Sequence, residues 1–289
     1  MGSQKTLSTI REFCFVVLFM KNLTWYTLSL SGGKDSLALF LKLLEEGVKL
    51  DEVVMVDLGD EYQAVYDVML YVASICMHEK IKLTILEIPK TEEYLSFIEK
   101  TKTDINMFQY MVFHHKKKNG NCGYGWCGKQ RWGTAMKRAI LNNYYQSLER
   151  FIVEYVGISF DETERMDIKP HKNYAKSYPL VKWKMTEKDC LKYCYDHGVY
   201  WMQSGIRLYD ILDRVSCVHC QNKNLRELRN IRKFLLDVWE DFKTWQKHIP
   251  WAYRSTGETI QDLDKRFESE DEQMDIFSFL NMSKNKIRR

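Results

Sequence analysis

The chain has 289 residues, and its 43 Lys and Arg residues against 39 Asp and Glu residues give a net charge of +4. It is 45% hydrophobic and 28% charged, with 14 Gly and 4 Pro residues. These proportions exclude collagen-like, low-complexity and fully disordered chains, and a charge of this size does not by itself indicate nucleic-acid binding.

Residues 1–19 are predicted to be an N-terminal extension, with Met20 as a candidate start. The apolar segment 10–20 follows Lys5 and contains Arg11, but no small-residue cleavage site follows it, and it is too short to span a membrane. The alternative is an N-terminal strand or helix packed on the domain. The eight cysteines belong to a long chain with ample core, so we expect reduced thiols, a cytoplasmic protein and no membrane contact.

Strands and helices alternate over the next part of the chain. Apolar runs predict strands at 25–30, 52–58 and 82–88, and helical spacing predicts helices from Leu37 to a C-cap at Gly47 and over 62–80. Alternation of this kind implies crossover units and helices on both faces of a sheet. The predicted fold is therefore α/β, a doubly wound and mostly parallel sheet, over residues 20–200.

The second half begins with a predicted helix at 129–148 and a strand at 151–158. Thr186 and Asp189 have capping-box spacing at the start of a helix that stops at Gly198. One amphipathic helix is then predicted from apolar residues at three- and four-residue steps, namely Leu228, Ile231, Leu235, Val238, Phe242 and Trp245. We assign residues 201–250 to a C-terminal helical lobe and residues 251–289 to a polar, partly disordered tail.

The loop SGGKDS at 31–36 is the most informative segment. A predicted strand enters it and a helix leaves it, so backbone N–H groups and a helix N-terminus converge on one point that favours an anion. Gly32 and Gly33 permit close approach of a phosphate, Ser31 and Ser36 add hydroxyls, and Lys34 adds a cation. The Walker A and GxGxxG patterns do not fit. The alternative is a Gly-Gly turn capped by serine.

This loop resembles the SGGxDS loop of the PP-loop ATP pyrophosphatases, which have an adenine nucleotide alpha hydrolase-like fold. Four more segments are similar, in the same order, to motifs of the phosphoadenosine phosphosulfate reductase-like branch. They are VDLGDEY at 56–62, RWGT at 131–134, GISFDETER at 157–165 and YPLVKW at 178–183. The resemblance covers most of the chain, from Leu23 to Trp245.

The resemblance implies ATP and Mg²⁺ as ligands, and cleavage at the α-phosphate of ATP or of an adenylylated sulfur compound. Residues Ser31, Gly32, Gly33, Lys34 and Ser36 would hold the pyrophosphate. Asp35 would hold the loop or reach the Mg²⁺. Lys34 and Asp35 are therefore candidate catalytic residues.

The resemblance also implies roles for residues outside the loop. Asp57 and Gly59 would lie near the nucleotide, while Arg165, together with Arg131, would neutralise charge at the α-phosphate. Arg165 is the third candidate catalytic residue. The alternatives are that Asp57 caps a turn and that Glu162 and Arg165 form an ion pair at i,i+3 spacing.

Four cysteines form two close pairs, Cys122 with Cys127 and Cys217 with Cys220. Two such pairs can provide four sulfur ligands to one centre, and sulfur ligands favour iron–sulfur clusters or zinc over hard cations. A [4Fe–4S] cluster is the preferred interpretation, since proteins of the resembled group often carry one. Zinc and unligated thiols are the alternatives.

The sequence departs from the resembled group at two places. Gly133 stands where the RWCT segment has Cys, and no cysteine follows Cys220 in this sequence, where thioredoxin-dependent reductases have their nucleophile. These differences argue against sulfate reduction. Cys190 and Cys194 lie within a predicted helix, where burial as small core residues is the favoured interpretation.

Two basic clusters flank the cysteine pairs. One comprises Arg226, Arg229 and Lys233, and the other lies around residues 114–118 with Lys129, Arg131, Lys137 and Arg138. Such clusters can bind a phosphate backbone, and the alternative is a solvated surface. Tyr124, Trp126 and Trp132 could stack on a base or pack in the core.

Together these observations predict an ATP-dependent adenylyl and sulfur transferase acting on tRNA or DNA. Its expected partners are an adenine nucleotide, a sulfur donor such as a cysteine desulfurase, and a second copy in a homodimer. Three alternatives remain open. They are a phosphoadenosine phosphosulfate or adenylylsulfate reductase, a flavin-nucleotide adenylyltransferase, and a non-catalytic ATP-sensing subunit.

Overall fold

The computed structural model describes residues 24–114, 123–127, 132–167, 174–215 and 217–287, with side chains described as far as residue 273. The predicted N-terminal extension at 1–19 and the site residues Cys122 and Arg131 lie outside these ranges.

A five-stranded sheet with the order β3-β2-β1-β4-β5 forms the centre of the fold. Its strands are β1 (Thr24–Leu30), β2 (Glu52–Asp57), β3 (Lys82–Glu87), β4 (Phe151–Val156) and β5 (Tyr174–Ser177). All four pairings between these strands are parallel. The predicted α/β class with a parallel, doubly wound sheet is confirmed.

Helices connect and cover these strands. In chain order they are α1 (Lys34–Glu45), α2 (Gln63–Glu79), α3 (Glu92–Thr101), α4 (Met107–His114), α5 (Trp132–Ser147), α6 (Pro179–Lys182) and α7 (Glu187–Asp196). There follow a short hairpin of β6 (Met202–Gln203) and β7 (Ile206–Arg207), then α8 (Leu208–Ile211), α9 (Leu225–Phe234), α10 (Leu236–His248) and α11 (Ile260–Ile287).

The direction of strand addition reverses at β1. From β1 the chain adds β2 and β3 on one side, and β4 and β5 then lie on the other side. In open parallel sheets a ligand crevice forms at such a reversal, outside the carboxyl ends of the strands. The loop at 31–36 leaves the carboxyl end of β1, so the fold places it at this crevice.

Local sequence explains where α1 and α7 begin and end. The side chains of α1 from Leu37 to Leu41 are buried, and Gly47 beyond its end has a positive φ of 61° that ends the helix. In α7, the Thr186 side chain accepts from the Asp189 N–H and the Asp189 side chain accepts from the Thr186 N–H. The predicted capping box is confirmed.

The chain forms two compact units. One contains residues Met1–Ile88 and Ala135–Trp201, and therefore the whole parallel sheet; the other contains Pro89–Thr134 and Met202–Arg289. Residues 89–134 thus belong with the C-terminal helices, although they lie inside the sequence range assigned to the nucleotide-binding domain. The segment assigned to a polar tail contains α11, whose Ile260, Leu263 and Phe267 are buried.

The prediction of one continuous amphipathic helix over 228–245 is wrong about its continuity. The structure has two helices, α9 and α10, separated at Leu235, whose φ of −129° and ψ of 66° are not helical. Leu235 is fully buried, as are Ile231 and Phe242 on either side of it. The apolar pattern therefore predicted which residues are buried, while the backbone bends to bury them.

Candidate functional site

The loop after β1 is shaped by its first glycine. Gly32 has a φ of +75°, and a Cβ at this position would lie 2.5 Å from Val65 Cγ1. Any side chain would therefore be strained and would also clash, so the position requires glycine. Gly33 is the N-cap of α1 and supplies no side-chain cap, and the N–H groups at the start of a helix favour an anion.

The two serine hydroxyls form hydrogen bonds within the loop. Ser31 Oγ and Ser36 Oγ are 3.0 Å apart, and the Ser31 N–H donates to Ser36 Oγ at 3.2 Å. Ser36 Oγ in turn donates to the Gly33 carbonyl at 3.0 Å. The structure therefore brings together the hydroxyls and the backbone amides that the sequence predicted to surround a phosphate.

The Lys34 ammonium group forms ion pairs with two carboxylates. Its Nζ lies 2.7 Å from Glu187 Oε2 and 3.2 Å from Asp35 Oδ2, and its side chain is 8% exposed. Burial alone would lower the pKa of Lys34, but Asp35 and Glu187 outweigh it and raise the pKa. Burial raises the pKa of Asp35, against the opposing attraction of Lys34. Sequence analysis missed Glu187, which lies in the first turn of α7.

Asp57 closes a turn at the end of β2. Its Oδ1 accepts from the Gly59 N–H at 2.7 Å and from the Tyr66 hydroxyl at 3.1 Å. Gly59 has a φ of +80°, which suits the tight turn. This arrangement is the turn-capping alternative; it leaves Asp57 at the carboxyl edge of the sheet, beside the crevice.

Arg165 ends a 3₁₀ helix, Phe160–Arg165, and pairs with Glu162 at i,i+3 spacing. Glu162 is buried, whereas the Arg165 side chain is 53% exposed. In the same segment, Asp161 Oδ1 accepts from the Glu187 N–H at 3.0 Å. The segment is therefore tied to the start of α7, and Glu187 links it to Lys34.

Cys127, Cys217 and Cys220 come together in the second unit. Cys127 Sγ lies 3.5 Å from Cys217 Sγ, and Cys127 and Cys220 form an isolated parallel β-bridge. The Gln221 N–H donates to the Cys127 carbonyl at 2.6 Å, which fixes the two loops against each other. The predicted partner Cys122 lies outside the described residues.

Aromatic rings surround these cysteines. Trp126 is fully buried beside Cys127, and its Nε1–H donates to the Trp251 carbonyl at 3.3 Å. His219, between the other two cysteines in sequence, stacks on Trp245 with ring centroids 3.6 Å apart and lies 3.2 Å from Asp241. This packing buries Cys127, whereas Cys217 and Cys220 remain partly exposed.

The Cys127 and Cys217 thiols are in contact, and Cys220 lies on the bridge beside Cys127, so these sulfur atoms are of the kind that a thiophilic metal or cluster prefers. The hydrogen bond with Cys217, followed by burial, raises the pKa of Cys220, while the Asn222 N–H opposes the rise. Metal binding would displace the protons of the thiols that become ligands. Within the described ranges, no group of three or more His, Cys, Asp or Glu residues already has metal-binding geometry.

The other described cysteines are core residues. Cys190 and Cys194 on α7 are fully buried, and Cys194 Sγ lies 3.4 Å from the Lys34 carbonyl. Burial raises the pKa of Cys194 to about 12 and that of Cys76 to about 11. Protonated, enclosed thiols of this kind are poor nucleophiles and poor ligands.

The predicted basic surface near the second cysteine pair is largely neutralised within the chain. Arg226 pairs with Asp213, and Arg229 pairs with Glu270 of α11. These arginines therefore join α9 to its neighbours and do not form an open cationic stripe. Tyr124 and Trp132 stack on each other, with ring centroids 4.8 Å apart.

In the part of the chain that the structure describes, no helix combines the length and apolarity that crossing a bilayer requires.

Comparison with known proteins gives structural likenesses but no sequence match. No protein-family model matches the sequence, and no curated protein matches it. Among solved structures, the U34-tRNA thiolase NcsA from Methanococcus maripaludis with its [4Fe-4S] cluster is similar, with 16% identity and a TM-score of 0.38. The likeness covers 86% of this chain and 73% of that chain. A TM-score at this level carries no argument about the function of this chain.

Proposed function

We propose that this chain is a PP-loop enzyme that cleaves ATP at the α-phosphate and uses the adenylate for sulfur transfer, with tRNA or DNA as acceptor. The observation that carries the proposal is the loop at 31–36. Two serine hydroxyls, the backbone of Gly33 and the start of α1 converge there, at the strand-order reversal where parallel sheets bind ligands.

The reaction has three steps. An oxygen of the acceptor attacks the α-phosphorus of ATP, an O–P bond forms, and the bond to the β-phosphate breaks as pyrophosphate leaves with its electron pair. The terminal sulfur of a donor persulfide, such as that of a cysteine desulfurase, then attacks the activated carbon, a C–S bond forms, and AMP leaves with the electron pair of the C–O bond. A thiol reductant cleaves the remaining S–S bond, which leaves the sulfur on the acceptor and the donor in a disulfide with the reductant. The work of the protein in the first step is chiefly to position the nucleotide and stabilise charge.

The loop residues divide this work. Ser31, Gly33 and Ser36 would bind the pyrophosphate through hydroxyls and N–H groups, while Gly32 provides the space. Asp35 would reach the Mg²⁺. Lys34 is already paired with Glu187 and Asp35, so its contribution is to neutralise those carboxylates and thereby let an anion enter.

Residues beyond the loop complete the nucleotide site in this proposal. Asp57 and Gly59 would contact the nucleoside part, because their turn lies at the end of the neighbouring strand. Arg165 would turn from Glu162 to the α-phosphate as charge develops there, and its 53% exposed side chain is accessible for that movement. Arg131 would assist it.

The cysteines would hold a [4Fe–4S] cluster, with zinc as the alternative. Cys127, Cys217 and Cys220 already lie together, and Cys122 would be the fourth ligand. A bound cluster supplies thiophilic iron, which can hold sulfur close to the protein. The apolar aromatic packing around Cys127 would keep water away from it.

The test is pyrophosphate release from ATP by anaerobically purified protein supplied with tRNA or DNA and a sulfur donor. We expect nucleic-acid-dependent release, and a loss of roughly tenfold or more in kcat/KM for Ser36→Ala, which removes a hydroxyl that bonds to phosphate. Ser74→Ala is the matched control, because Ser74 is an exposed serine that bonds to the Tyr71 carbonyl on α2.

Three other outcomes would each replace the proposal. ATP binding without pyrophosphate release under any of these conditions would indicate a sensing subunit. Sulfite release from an adenylylated sulfate would indicate a reductase, and formation of a flavin dinucleotide would indicate an adenylyltransferase.

A further inference from the structure

Trp201, the last residue of the first unit in sequence, contacts the loop at 31–36, here called the phosphate loop. The Trp201 indole N–H donates to the Gly32 carbonyl at 2.8 Å, across a sequence separation of 169 residues. Trp201 is fully buried and follows α7, the helix that also supplies Glu187. This contact therefore acts on the backbone at the centre of the loop.

The contact fixes the direction of one peptide group. The Gly32–Gly33 peptide is trans, so its C=O and N–H point in opposite directions. With the carbonyl held by Trp201, the Gly33 N–H points away from the indole and towards Ser31 Oγ, at 3.4 Å. That distance is long for a hydrogen bond, and a phosphate oxygen would be a much better acceptor.

A peptide between two glycines needs such an anchor. Neither neighbour has a Cβ, so rotation of this peptide meets little steric resistance. After rotation, the Gly32 carbonyl would face the bound anion and repel it. The orientation of this one peptide therefore decides whether the loop attracts or repels a phosphate.

We propose that Trp201 is a positioning residue for nucleotide binding. Its indole N–H holds the Gly32–Gly33 peptide so that the Gly33 N–H faces a terminal phosphate oxygen of the nucleotide. This inference rests on the proposed function and deepens it, since it names the residue that keeps the loop in its binding orientation.

The first test compares binding of inorganic pyrophosphate and of ATP to the wild-type protein and to Trp201→Phe, by calorimetry. Phe keeps an aromatic ring and removes only the donor and part of the ring system. We expect both ligands to bind about tenfold more weakly, as for the loss of one hydrogen bond to a charged group. Trp239→Phe is the matched control, because it removes an indole bond of 2.8 Å to Asp264 in the other unit. It should bind both ligands normally.

The second test is spectroscopic and separates positioning from a loss of stability. In protein labelled with ¹⁵N-glycine, Trp201→Phe should shift the Gly33 amide resonance before any ligand is added, while the resonances of Gly47 and Gly257 stay in place. In wild-type protein labelled at tryptophan, saturating pyrophosphate should shift the Trp201 indole resonance together with the Gly33 amide. This second measurement uses only the wild-type protein, so it does not depend on whether the variant folds.

The outcomes distinguish the two proposals. Wild-type protein that binds neither pyrophosphate nor ATP would overturn the proposed function, and the role of Trp201 with it. Normal binding by wild type with unchanged affinity in Trp201→Phe would overturn the role of Trp201 alone. An indole resonance that does not respond to pyrophosphate would do the same.

Discussion

Gly157 lies so close to the backbone of Ser36 that no side chain fits between them. A Cβ at Gly157 would lie 2.9 Å from both Ser36 Cα and Ser36 N. Because both atoms belong to the backbone at the start of α1, neither can move aside without shifting the loop. The glycine after β4 thus allows the phosphate loop to pack at the strand-order reversal.

Gly157→Ala is therefore expected to displace Ser36 and weaken pyrophosphate binding by about tenfold, with a loss of about 1–3 kcal/mol of stability from overpacking. Calorimetric binding and urea unfolding measure the two effects. Gly47→Ala is the control. Gly47 has open space around it and a φ of +61°, so the substitution should lower stability by about 1 kcal/mol without changing the affinity for pyrophosphate. Equal affinity in both variants would contradict the close-packing argument.

Lys34 and Glu187 should behave as a coupled pair. Lys34→Met leaves the Glu187 and Asp35 carboxylates unneutralised beside the loop, so pyrophosphate affinity should fall by about tenfold or more. Adding Glu187→Gln should restore most of that loss, because it removes the repelling charge. If Lys34 instead bonds directly to phosphate, the double variant will bind as weakly as Lys34→Met, as a double-mutant cycle would show.

The cysteine centre should depend on cysteines from both loops. Cys127→Ser, Cys217→Ser and Cys220→Ser should each lose most of the bound metal, and Cys122→Ser should match them. Metal analysis and absorption spectra of anaerobically purified protein provide the measurement. A brown preparation indicates iron and sulfur, and a colourless one with stoichiometric zinc indicates the alternative. Cys76→Ala, in the other unit, should retain its metal. Full metal content in all four serine variants would exclude the site.

The fully buried carboxylate of Glu52 should make stability depend on pH. It accepts hydrogen bonds from Trp25 at 2.9 Å and from Thr84 and Tyr144 at 2.5 Å each, and pairs with Lys82 at 2.9 Å. Burial would raise the pKa of Glu52, but these partners outweigh it and lower the pKa from its ordinary 4.5. The stabilisation is therefore present above that pH and is lost as the pH falls through the folded-state pKa.

Glu52→Gln should consequently lower the free energy of unfolding by about 2 kcal/mol at pH 7 and flatten its decline on acidification. Urea unfolding between pH 7 and pH 3 tests this expectation. Glu87→Gln, at an exposed position on β3, should leave both the value and the pH profile unchanged. A profile for Glu52→Gln as steep as that of the wild type would show that other carboxylates dominate the acid transition.

The strand–loop–helix order at β1 and α1 was predictable, because it depends on neighbours in sequence. An apolar run, two glycines and a helical stripe fix the local conformation, and the same holds for the capping box of Thr186 and Asp189. The position of Asp57 at the end of the second strand could also be predicted from the sequence. The partners of Asp57 and Arg165, Tyr66 and Glu162, show that each of the two residues makes a local contact.

What could not be predicted depends on contacts between distant residues. Trp201 approaches Gly32 only in the folded unit, and no local pattern marks it as a partner of the loop. The sequence predicted Arg229 to be part of an open basic surface, whereas in the structure it pairs with Glu270 of α11. The break between α9 and α10 at Leu235 also depends on tertiary packing. The sequence of these two helices contains neither Gly nor Pro, and the bend buries the leucine.

The path of the chain limits how this protein can be divided. It leaves the first unit after Ile88, returns at Ala135 and leaves again after Trp201. No single cut can therefore release either unit intact. A truncation after Trp201 would remove the contacts of Trp126 with Phe242 and Tyr253. The indole of Trp126 would then be an exposed hydrophobic surface prone to aggregation. Expression of either half alone should yield insoluble material, so biochemical dissection must proceed by point substitution.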